Sequence, residues 1–317
     1  MSRPVRILSL SVEGGGGIPE NIARYGDRLA RHRGFRPDLI VFPETATSAG
    51  SREPVKELAE SEDGPSMTFY RSVAKEFRAW VVGGHYREGG TEAGKRGATF
   101  NAASLIDREG KCIGTYRKTY PTGSEYTGGV IPGPKDQPVF PSEFGPVGIA
   151  ICFDIGFPEI WDSYARQGAR LVIWPSAYPG GAVLNGYAVL HGYYVVTASH
   201  DPGMRVIDPL GRDLAVASYR EKALEATIDL DEAYVHMDYA NLVIGEIRTK
   251  YGKTLSIEAH DAIGWYRIVR TGEGPELRDI LKEYGLQPCR DYYARARAAI
   301  DRHRETGDGP AWEKSWG

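Results

Sequence analysis

Apolar residues along the chain recur with two different periods, and the two periods alternate. Runs of strand length lie at 6–12, 37–44, 80–85, 147–152, 170–175, 194–199 and 224–230. Between them, apolar residues at helical spacing predict helices over 21–33, 66–77 and 159–167. Two further stretches, 99–116 and 204–217, flank turn residues and predict hairpins. This alternation predicts a layered α/β fold.

The pattern changes beyond residue 231. Residues 232–317 are charged and rich in tyrosine, with helical spacing over 276–284 and 290–304. We therefore divide the chain into a first domain over 1–231 and a helical C-terminal extension over 232–317. We expect the extension to cross onto a partner subunit, because the spacing of its tyrosines favours packing or subunit contact: Tyr234, Tyr239, Tyr292 and Tyr293.

Composition narrows the class of partner. The 317 residues are 41% hydrophobic and 26% charged, with a formal net charge of -3, so neither nucleic acid nor an anionic membrane surface is an expected partner. A small molecule is the expected ligand. The first residues lack an apolar signal region, which favours a cytoplasmic location. Three scattered cysteines argue against a disulfide framework and against a cysteine-rich zinc site: Cys112, Cys152 and Cys289.

Cys152 ends the apolar run 147–152, and a proline-led acidic step at Pro158 opens the next predicted helix. A thiol at a strand-to-helix turn lies beside backbone N–H groups that favour negative charge on sulfur or on a substrate oxygen. Free cysteine is also among the residues most often buried as inert core. The choice between these interpretations depends on whether the chain also supplies a base and an oxyanion partner.

Three polar side chains are candidates for those roles. Glu44 follows an apolar run, and Lys118 and Glu125 occupy the polar loop after the first hairpin. Glu44 is a candidate base that takes the thiol proton and returns it to the leaving amine. Lys118 and the backbone N–H of Phe153 are candidates to stabilise an oxyanion, with Glu125 holding Lys118 charged and positioning water. The alternative for Lys118 and Glu125 is an exposed surface pair.

We expect a shared location for these strand ends. Glu44, Cys152 and the loop over 175–178 each follow an apolar run of strand length. Because the carboxyl ends of parallel strands meet at one edge of a sheet, parallel pairing would bring all three to the same end of one sheet.

Three motifs follow one another along the chain: Phe42-Pro43-Glu44, then Tyr116-Arg117-Lys118, then Gly148 to Asp154 with Phe157-Pro158-Glu159. Together with Pro175-Ser176-Ala177 and Asp208-Pro209-Leu210-Gly211, they resemble the nitrilase superfamily of carbon-nitrogen hydrolases over about residues 5–231. The resemblance implies a four-layer αββα sandwich that pairs with another subunit into an eight-layer dimer, and neither a metal nor an organic cofactor. It also implies Glu44, Lys118 and Cys152 as the catalytic triad, with Glu125 as a supporting second glutamate.

The expected activity is cysteine-dependent hydrolysis of a non-peptide C–N bond in a small linear amide or carbamoyl compound, with release of ammonia or an amine. Many members that resemble the motif after the cysteine carry arginine where this chain has Gly156. An arginine there would pair with a substrate carboxylate through two hydrogen bonds, so carbamoyl amino acids are less expected substrates. Aromatic residues near the motifs form a candidate pocket for an apolar or aromatic substrate: Tyr120, Tyr126, Phe157, Trp174 and Tyr178.

Three other interpretations stay open. The same site suits nitrile hydrolysis, although the motif lacks the Trp-Glu-Asn step of true nitrilases. A histidine base for Cys152, either His191 or His200, would give the mechanism of cysteine peptidases, but it leaves the motifs around Glu44 and Lys118 unexplained. A catalytically silent scaffold that binds a ligand or partner is the third, and the presence of all four reactive side chains counts against it.

Overall fold

The computed structural model describes residues 4–89, 97–218 and 220–308. These residues form two compact units, one over Val5–Ile228 and one that begins at Asp229. The expected domain limits, 1–231 and 232–317, also include residues 1–3, 90–96, 219 and 309–317, which lie outside the described residues. Within the described ranges, no helix has both the length and the apolar character needed to cross a membrane. The cytoplasmic location stays a prediction.

In the described part of the chain, the larger unit contains two β-sheets. Its strands are β1 (Pro4–Leu10), β2 (Leu39–Val41), β3 (Trp80–Glu88), β4 (Thr99–Ile106), β5 (Cys112–Arg117), β6 (Val147–Ile149), β7 (Leu171–Ser176), β8 (Tyr194–Ser199), β9 (Arg205–Ile207), β10 (Asp213–Val216) and β11 (Ala223–Asp229). One sheet has the order β11-β1-β2-β3-β4-β5 and the other β10-β9-β8-β7-β6. Strands β1 to β3 are mutually parallel, as are β6 to β8, and antiparallel strands extend each sheet on one side.

Helices cover both sheets. They are α1 (Ile18–Arg31), α2 (Pro65–Phe77), α3 (Gly123–Thr127), α4 (Pro158–Arg166) and α5 (Ala182–His191). Tyr25 of α1 and Tyr70 of α2 are buried in one core with Phe42, which follows β2. Tyr164 of α4 packs directly on Gly148 of β6 in the other sheet. The ring lies so close that a Cβ added to Gly148 would be 2.7 Å from it. The predicted four-layer αββα sandwich is therefore confirmed.

Most predicted elements appear in the predicted order, with shifted ends. The helices expected over 21–33, 66–77 and 159–167 are α1, α2 and α4. The strand expected over 147–152 is shorter, because β6 ends at Ile149 and a 3-10 turn begins at Cys152. Cys152 therefore lies outside the sheet and does not have the extended backbone of a strand residue.

Gly84 of β3 allows the Glu44 loop to pass close to the sheet. A Cβ added to Gly84 would lie 2.2 Å from the carbonyl oxygen of Pro43, which is far inside van der Waals contact. The Tyr70 hydroxyl donates a hydrogen bond to the Gly84 carbonyl at 2.8 Å and fixes β3 against α2. The missing side chain at position 84 therefore helps to set where Glu44 leaves β2.

The second unit contains the predicted helices and, in addition, a sheet that the sequence did not predict. Its strands β12 (Glu232–His236), β13 (Leu255–His260) and β14 (Trp265–Arg270) form an antiparallel sheet in the order β12-β14-β13, and its helices are α6 (Met237–Tyr251), α7 (Leu277–Glu283) and α8 (Cys289–Thr306). The helices predicted over 276–284 and 290–304 are confirmed as α7 and α8. The sheet was missed because its strands carry charges that pair across strands, as Arg267 does with Glu232 and Glu258.

Candidate active site

The candidate residues come from both sheets. Glu44 follows β2 and Lys118 follows β5 in the six-stranded sheet, whereas Cys152 follows β6 in the five-stranded sheet. The expectation that Glu44 and Cys152 share one sheet is therefore wrong. Cys152 and the loop after Ser176 do leave neighbouring parallel strands, β6 and β7. An apolar strand pattern does not reveal which of two facing sheets the strand joins.

Lys118 is a buried cation between two carboxylates. Its side chain is 1% exposed, and Nζ donates to Glu44 Oε1 at 2.7 Å and to Glu125 Oε2 at 2.6 Å. Burial alone would lower the pKa of Lys118, but the charges of Glu44 and Glu125 outweigh it and raise that pKa above its ordinary value. Lys118 is therefore charged at neutral pH, and the alternative of an exposed surface pair is excluded.

Glu125 is fixed by the first turn of α3. Its Oε2 accepts a hydrogen bond from the Thr122 backbone N–H at 2.8 Å, and the Thr122 hydroxyl accepts one from the Glu125 N–H at 3.2 Å, which forms a capping box. Burial would raise the pKa of Glu125, but the charge and hydrogen bond of Lys118, with those of Thr122 and Asn101, hold it below its ordinary value. Glu125 is thus an ionised and firmly held partner of the lysine.

Asn101, which no sequence motif indicated, contacts both glutamates. It lies in β4, and its Nδ2 donates to Glu44 Oε1 at 2.7 Å and to Glu125 Oε1 at 2.6 Å. Its backbone carbonyl accepts a hydrogen bond from the Lys118 N–H at 2.8 Å. The feature that could have indicated it is the β4–β5 hairpin. Ala102 of β4 pairs with Arg117 of β5, so Asn101 and Lys118 are the next residues along the two strands.

Cys152 begins its 3-10 turn in a strained backbone conformation. Its φ is 46°, in the left-handed region that non-glycine residues rarely adopt. The indole N–H of Trp174 donates to the Cys152 carbonyl at 3.1 Å and holds the turn against β7. Burial raises the pKa of the thiol to about 12 and the charge of Glu44 adds to this, although Lys118 acts in the opposite direction. The thiol is therefore protonated at neutral pH and needs a base before it can attack.

Asp154 joins the turn that begins at Cys152 to the end of β5. Its buried carboxylate accepts hydrogen bonds from the Ile151 N–H at 2.9 Å, the Tyr116 hydroxyl at 2.8 Å and the Tyr120 N–H at 2.9 Å. Burial raises the pKa of Asp154 to about 7 despite these donors. Asp154 stands inside a sequence motif, but its role depends on how the two sheets face each other, which the sequence does not give.

Three aromatic rings pack together beside Cys152. Tyr120 stacks on Phe157 with ring centroids 3.6 Å apart, and Phe153 meets Phe157 edge-on at 5.5 Å. The Tyr120 hydroxyl donates to Glu159 Oε1 at 2.6 Å and orients the stacked pair. Phe153 is 42% exposed, so this cluster presents an aromatic surface in the turn that begins at Cys152.

The other aromatic candidates differ in exposure. Trp174 is fully buried and supports the Cys152 carbonyl. Tyr178 packs edge-on against Trp174 at 5.5 Å and is 38% exposed, and burial and the charge of Cys152 raise its pKa, which places it near the thiol. Tyr126 is 62% exposed. Tyr86, which no motif indicated, lies near Glu125 and Glu44. Burial and then the charges of these two glutamates raise the pKa of Tyr86 to about 12.

The two histidine alternatives are engaged elsewhere. His191 Nε2 lies 3.2 Å from Asp162 Oδ1. His200 Nε2 lies 2.6 Å from the Glu44 carbonyl oxygen, and because a carbonyl only accepts, this nitrogen carries the hydrogen. Burial lowers the pKa of His200, so the ring is neutral and braces the Glu44 backbone. Glu44 is the leading charged neighbour of the Cys152 thiol, which favours the glutamate as its base.

The cluster combines a thiol, a neighbouring carboxylate and a buried ammonium group. In the ranges that the structure describes, no group of three or more His, Cys, Asp or Glu side chains is arranged to hold a metal ion. The chemistry that this set of groups supports is nucleophilic attack by sulfur, with proton transfer through a carboxylate and charge stabilisation by the lysine.

Replacing Asp154 by asparagine keeps the shape of the side chain but turns one acceptor into a donor that faces the N–H and O–H donors around it. We expect the free energy of unfolding in urea to fall by about 1–3 kcal/mol, because buried donors lose their acceptor. Alkylation of Cys152 by iodoacetamide also slows, since the turn loses its anchor. Asp162→Asn, a half-exposed acid on α4, is the matched control. Wild-type stability and alkylation in Asp154→Asn would contradict the anchoring role.

A family model described as carbon-nitrogen hydrolase matches residues 18–235. Deaminated glutathione amidase of Homo sapiens is 29% identical over 238 residues, which cover 66% of this chain and 70% of that protein. Omega-amidase NIT2 of Danio rerio is 28% identical over 236 residues, which cover 67% of this chain and 83% of that protein. These relatives agree with the family indicated by the motifs.

Solved structures of the same superfamily share the fold. Nit3 of Saccharomyces cerevisiae, a member of branch 10 of the nitrilase superfamily, matches with a TM-score of 0.65 at 22% identity, over 78% of this chain and 94% of that chain. A mutant of the amidase from Nesterenkonia sp. AN1, which shows Michael addition of acrylamide at its active-site cysteine, matches with a TM-score of 0.62 at 22% identity, over 78% and 99% of the two chains. Since the family model spans more than half of the 317 residues, the chain belongs to the carbon-nitrogen hydrolase family, the nitrilase superfamily that its motifs resemble.

Proposed function

We propose that this hydrolase cleaves a non-peptide C–N bond in a small linear amide or carbamoyl compound through a covalent acyl intermediate on Cys152. The observation that carries the proposal is the buried contact of Lys118 Nζ with Glu44 Oε1 at 2.7 Å, beside a thiol whose pKa responds to both charges. A nucleophile, a base and an oxyanion partner are thereby held in one site.

The first step is attack of Cys152 Sγ on the amide carbon. Because the thiol is protonated at neutral pH, Glu44 takes its proton as the C–S bond forms. The carbonyl π electrons move to oxygen, and the oxyanion is stabilised by the charge of Lys118 and by the backbone N–H of Phe153. A second cation at this place is not required, since Lys118 is already desolvated and acts at short range.

Glu44 transfers the protons of the two later steps, the departure of the leaving group and the attack of water. The C–N bond breaks as the proton on Glu44 passes to nitrogen, which leaves as ammonia or an amine. Water then attacks the thioester carbon and gives a proton to Glu44, and the second intermediate collapses with cleavage of the C–S bond while Glu44 returns the proton to sulfur. Glu125 keeps Lys118 charged and positions the water. The sum is amide plus water giving acid plus amine.

The surroundings of the thiol support a neutral substrate with an apolar or aromatic acyl group. Gly156 ends the 3-10 turn, and a Cβ added there meets no atom within 4 Å, so this position is open and uncharged. Phe153 and Tyr178 are both partly exposed next to the thiol and supply aromatic surface. The relatives named as amidases support amides over nitriles.

Two copies of this chain are proposed to associate through α5 and the edge strand β10. Leu190 and Val183 of α5 are 73% and 53% exposed, and Leu214 and Val216 of β10 are exposed as well. Asn185 Nδ2 donates to the Gly211 carbonyl at 3.0 Å, which holds α5 beside the β9–β10 hairpin, so these apolar side chains form one patch. A second copy of the chain is the proposed occupant, and the C-terminal unit is proposed to add a further contact.

Ammonia release and intact mass test the chemistry on a panel of neutral amides, carbamoyl amino acids and nitriles. We expect turnover of neutral amides and an acyl adduct on the wild-type protein. Cys152→Ala abolishes the adduct, and Glu44→Gln slows turnover by about 10²–10⁴-fold, the usual effect of losing a general acid–base group. Cys112→Ala, which removes a thiol from β5, is the control and keeps both signals.

Three results would contradict this mechanism or this substrate class. An adduct that survives Glu44→Gln but disappears in His200→Ala would favour a histidine base. Nitriles that react faster than amides would favour nitrile hydrolysis. Neither adduct nor ammonia across the whole panel would favour a scaffold that only binds.

Gly156→Arg tests the substrate class directly. The Cβ of the added arginine meets no atom within 4 Å. If its guanidinium pairs with a substrate carboxylate, we expect kcat/KM for amides that carry a carboxylate to rise about 10–100-fold relative to neutral amides, as for a hydrogen-bonded charged pair. Gly156→Gln is the control of similar length without charge. Efficient turnover of carboxylate-bearing amides by the wild type, with no change in Gly156→Arg, would contradict the proposed preference.

Sedimentation velocity tests the association. We expect the wild type to be a dimer and Leu190→Glu to shift it toward monomer, because the variant buries a charge in the apolar patch. Leu242→Glu, at an apolar side chain of the second unit that is 81% exposed, reports separately on the extension and is also expected to weaken the dimer. Ala30→Glu on the exposed side of α1 is the control. Unchanged dimers in both leucine variants would contradict the proposed surfaces.

A further inference from the structure

We propose that Asn101 is a positioning residue that holds Glu44 and Glu125 in one geometry around Lys118 and opposes proton uptake by the pair. The inference rests on the proposed function and deepens it at the same site. It concerns the two hydrogens of one amide group, each of which is directed at a different carboxylate.

The contacts define the orientation of the amide. Nδ2 of Asn101 lies 2.7 Å from Glu44 Oε1 and 2.6 Å from Glu125 Oε1. Ionised carboxylates only accept hydrogen bonds, so the atom that meets both must be the NH₂ group, whose two donors are then both used. The reverse orientation would set the amide oxygen against two carboxylate oxygens.

The charges of the cluster require such a neutral donor. Glu44 and Glu125 together carry one more negative charge than Lys118 neutralises, and two carboxylates in one site drive proton uptake by one of them. Asn101 opposes that uptake with two N–H dipoles.

The remaining atoms of Asn101 argue against a purely structural reason for an amide here. Its Oδ1 is buried and has no hydrogen-bond partner among the residues that the structure describes. A buried acceptor without a partner destabilises a fold, so packing alone would select an apolar side chain in β4. The backbone of Asn101, in contrast, is anchored, because its carbonyl accepts the Lys118 N–H at 2.8 Å. The unpaired Oδ1 of Asn101 is unfavourable, and the two hydrogen bonds of its NH₂ group to charged carboxylates offset this cost.

Two measurements on Asn101→Ala and Asn101→Asp test the proposal. With the best amide of the panel, we expect Asn101→Ala to lower kcat about 10–100-fold, the effect of lost hydrogen bonds to charged groups, while KM changes little. The pH profile for alkylation of Cys152 by iodoacetamide is the second measurement. Its acid limb moves to higher pH in Asn101→Ala and further in Asn101→Asp, which adds a third carboxylate. Ser104→Ala, which removes the hydroxyl contact with Thr115 at 2.8 Å from the same strand β4, is the control and leaves both unchanged.

The two arms separate this inference from the proposed function. Alkylation of Cys152 needs no amide turnover, so its pH profile decides the role of Asn101 even if no panel substrate is hydrolysed. Wild-type kcat and an unmoved acid limb in folded Asn101→Ala would overturn the inference, while loss of turnover in Cys152→Ala would leave the proposed function standing. If Asn101→Ala does not fold, the nearly isosteric Asn101→Asp decides, and an unmoved acid limb there overturns the inference as well.

Discussion

A buried ammonium group between two carboxylates is the interaction on which the rest of the site depends. Removing a lysine charge from water costs several kcal/mol, and the loss of either carboxylate would leave that charge without compensation. The six-stranded sheet supplies what is needed from four places: Glu44 after β2, Asn101 in β4, Lys118 after β5 and Glu125 in the short helix that follows. These elements cannot shift relative to one another without separating charges that need each other.

The thiol belongs to the other sheet, so the site also requires a fixed distance between the two sheets. Asp154 provides this connection, because it accepts from Ile151 beside the thiol and from Tyr116 and Tyr120 on either side of the lysine. His200 adds a second connection through the Glu44 carbonyl. The sandwich is therefore joined at the site by buried polar contacts as well as by its apolar core, which explains why a strained φ at Cys152 is tolerated.

The layered fold and the positions of Glu44 and Cys152 at strand ends could be predicted from sequence because they follow local rules. Glu44 and Cys152 come directly after apolar runs, and periodicity locates those runs. Asn101 and Asp154 could not be found in this way, since their roles depend on hairpin register and on the facing of two sheets. The sheet in the C-terminal unit was missed for a related reason: the charge of Arg267 is neutralised on two neighbouring strands, and a pattern along one strand does not show its partners.

The same electrostatics determine when the sulfur becomes reactive. Reactive thiolates in proteins lie in electropositive surroundings, whereas burial and the charge of Glu44 raise the pKa of Cys152 to about 12. A resting thiolate is therefore disfavoured, and in the proposed mechanism sulfur attacks as Glu44 accepts its proton. In the same proposal, Lys118 gains a negative partner when the substrate oxygen takes up charge, so the cation would contribute more to the tetrahedral state than to the resting state. In the proposed mechanism, acylation of the cysteine is thus coupled to the presence of a carbonyl group in the site.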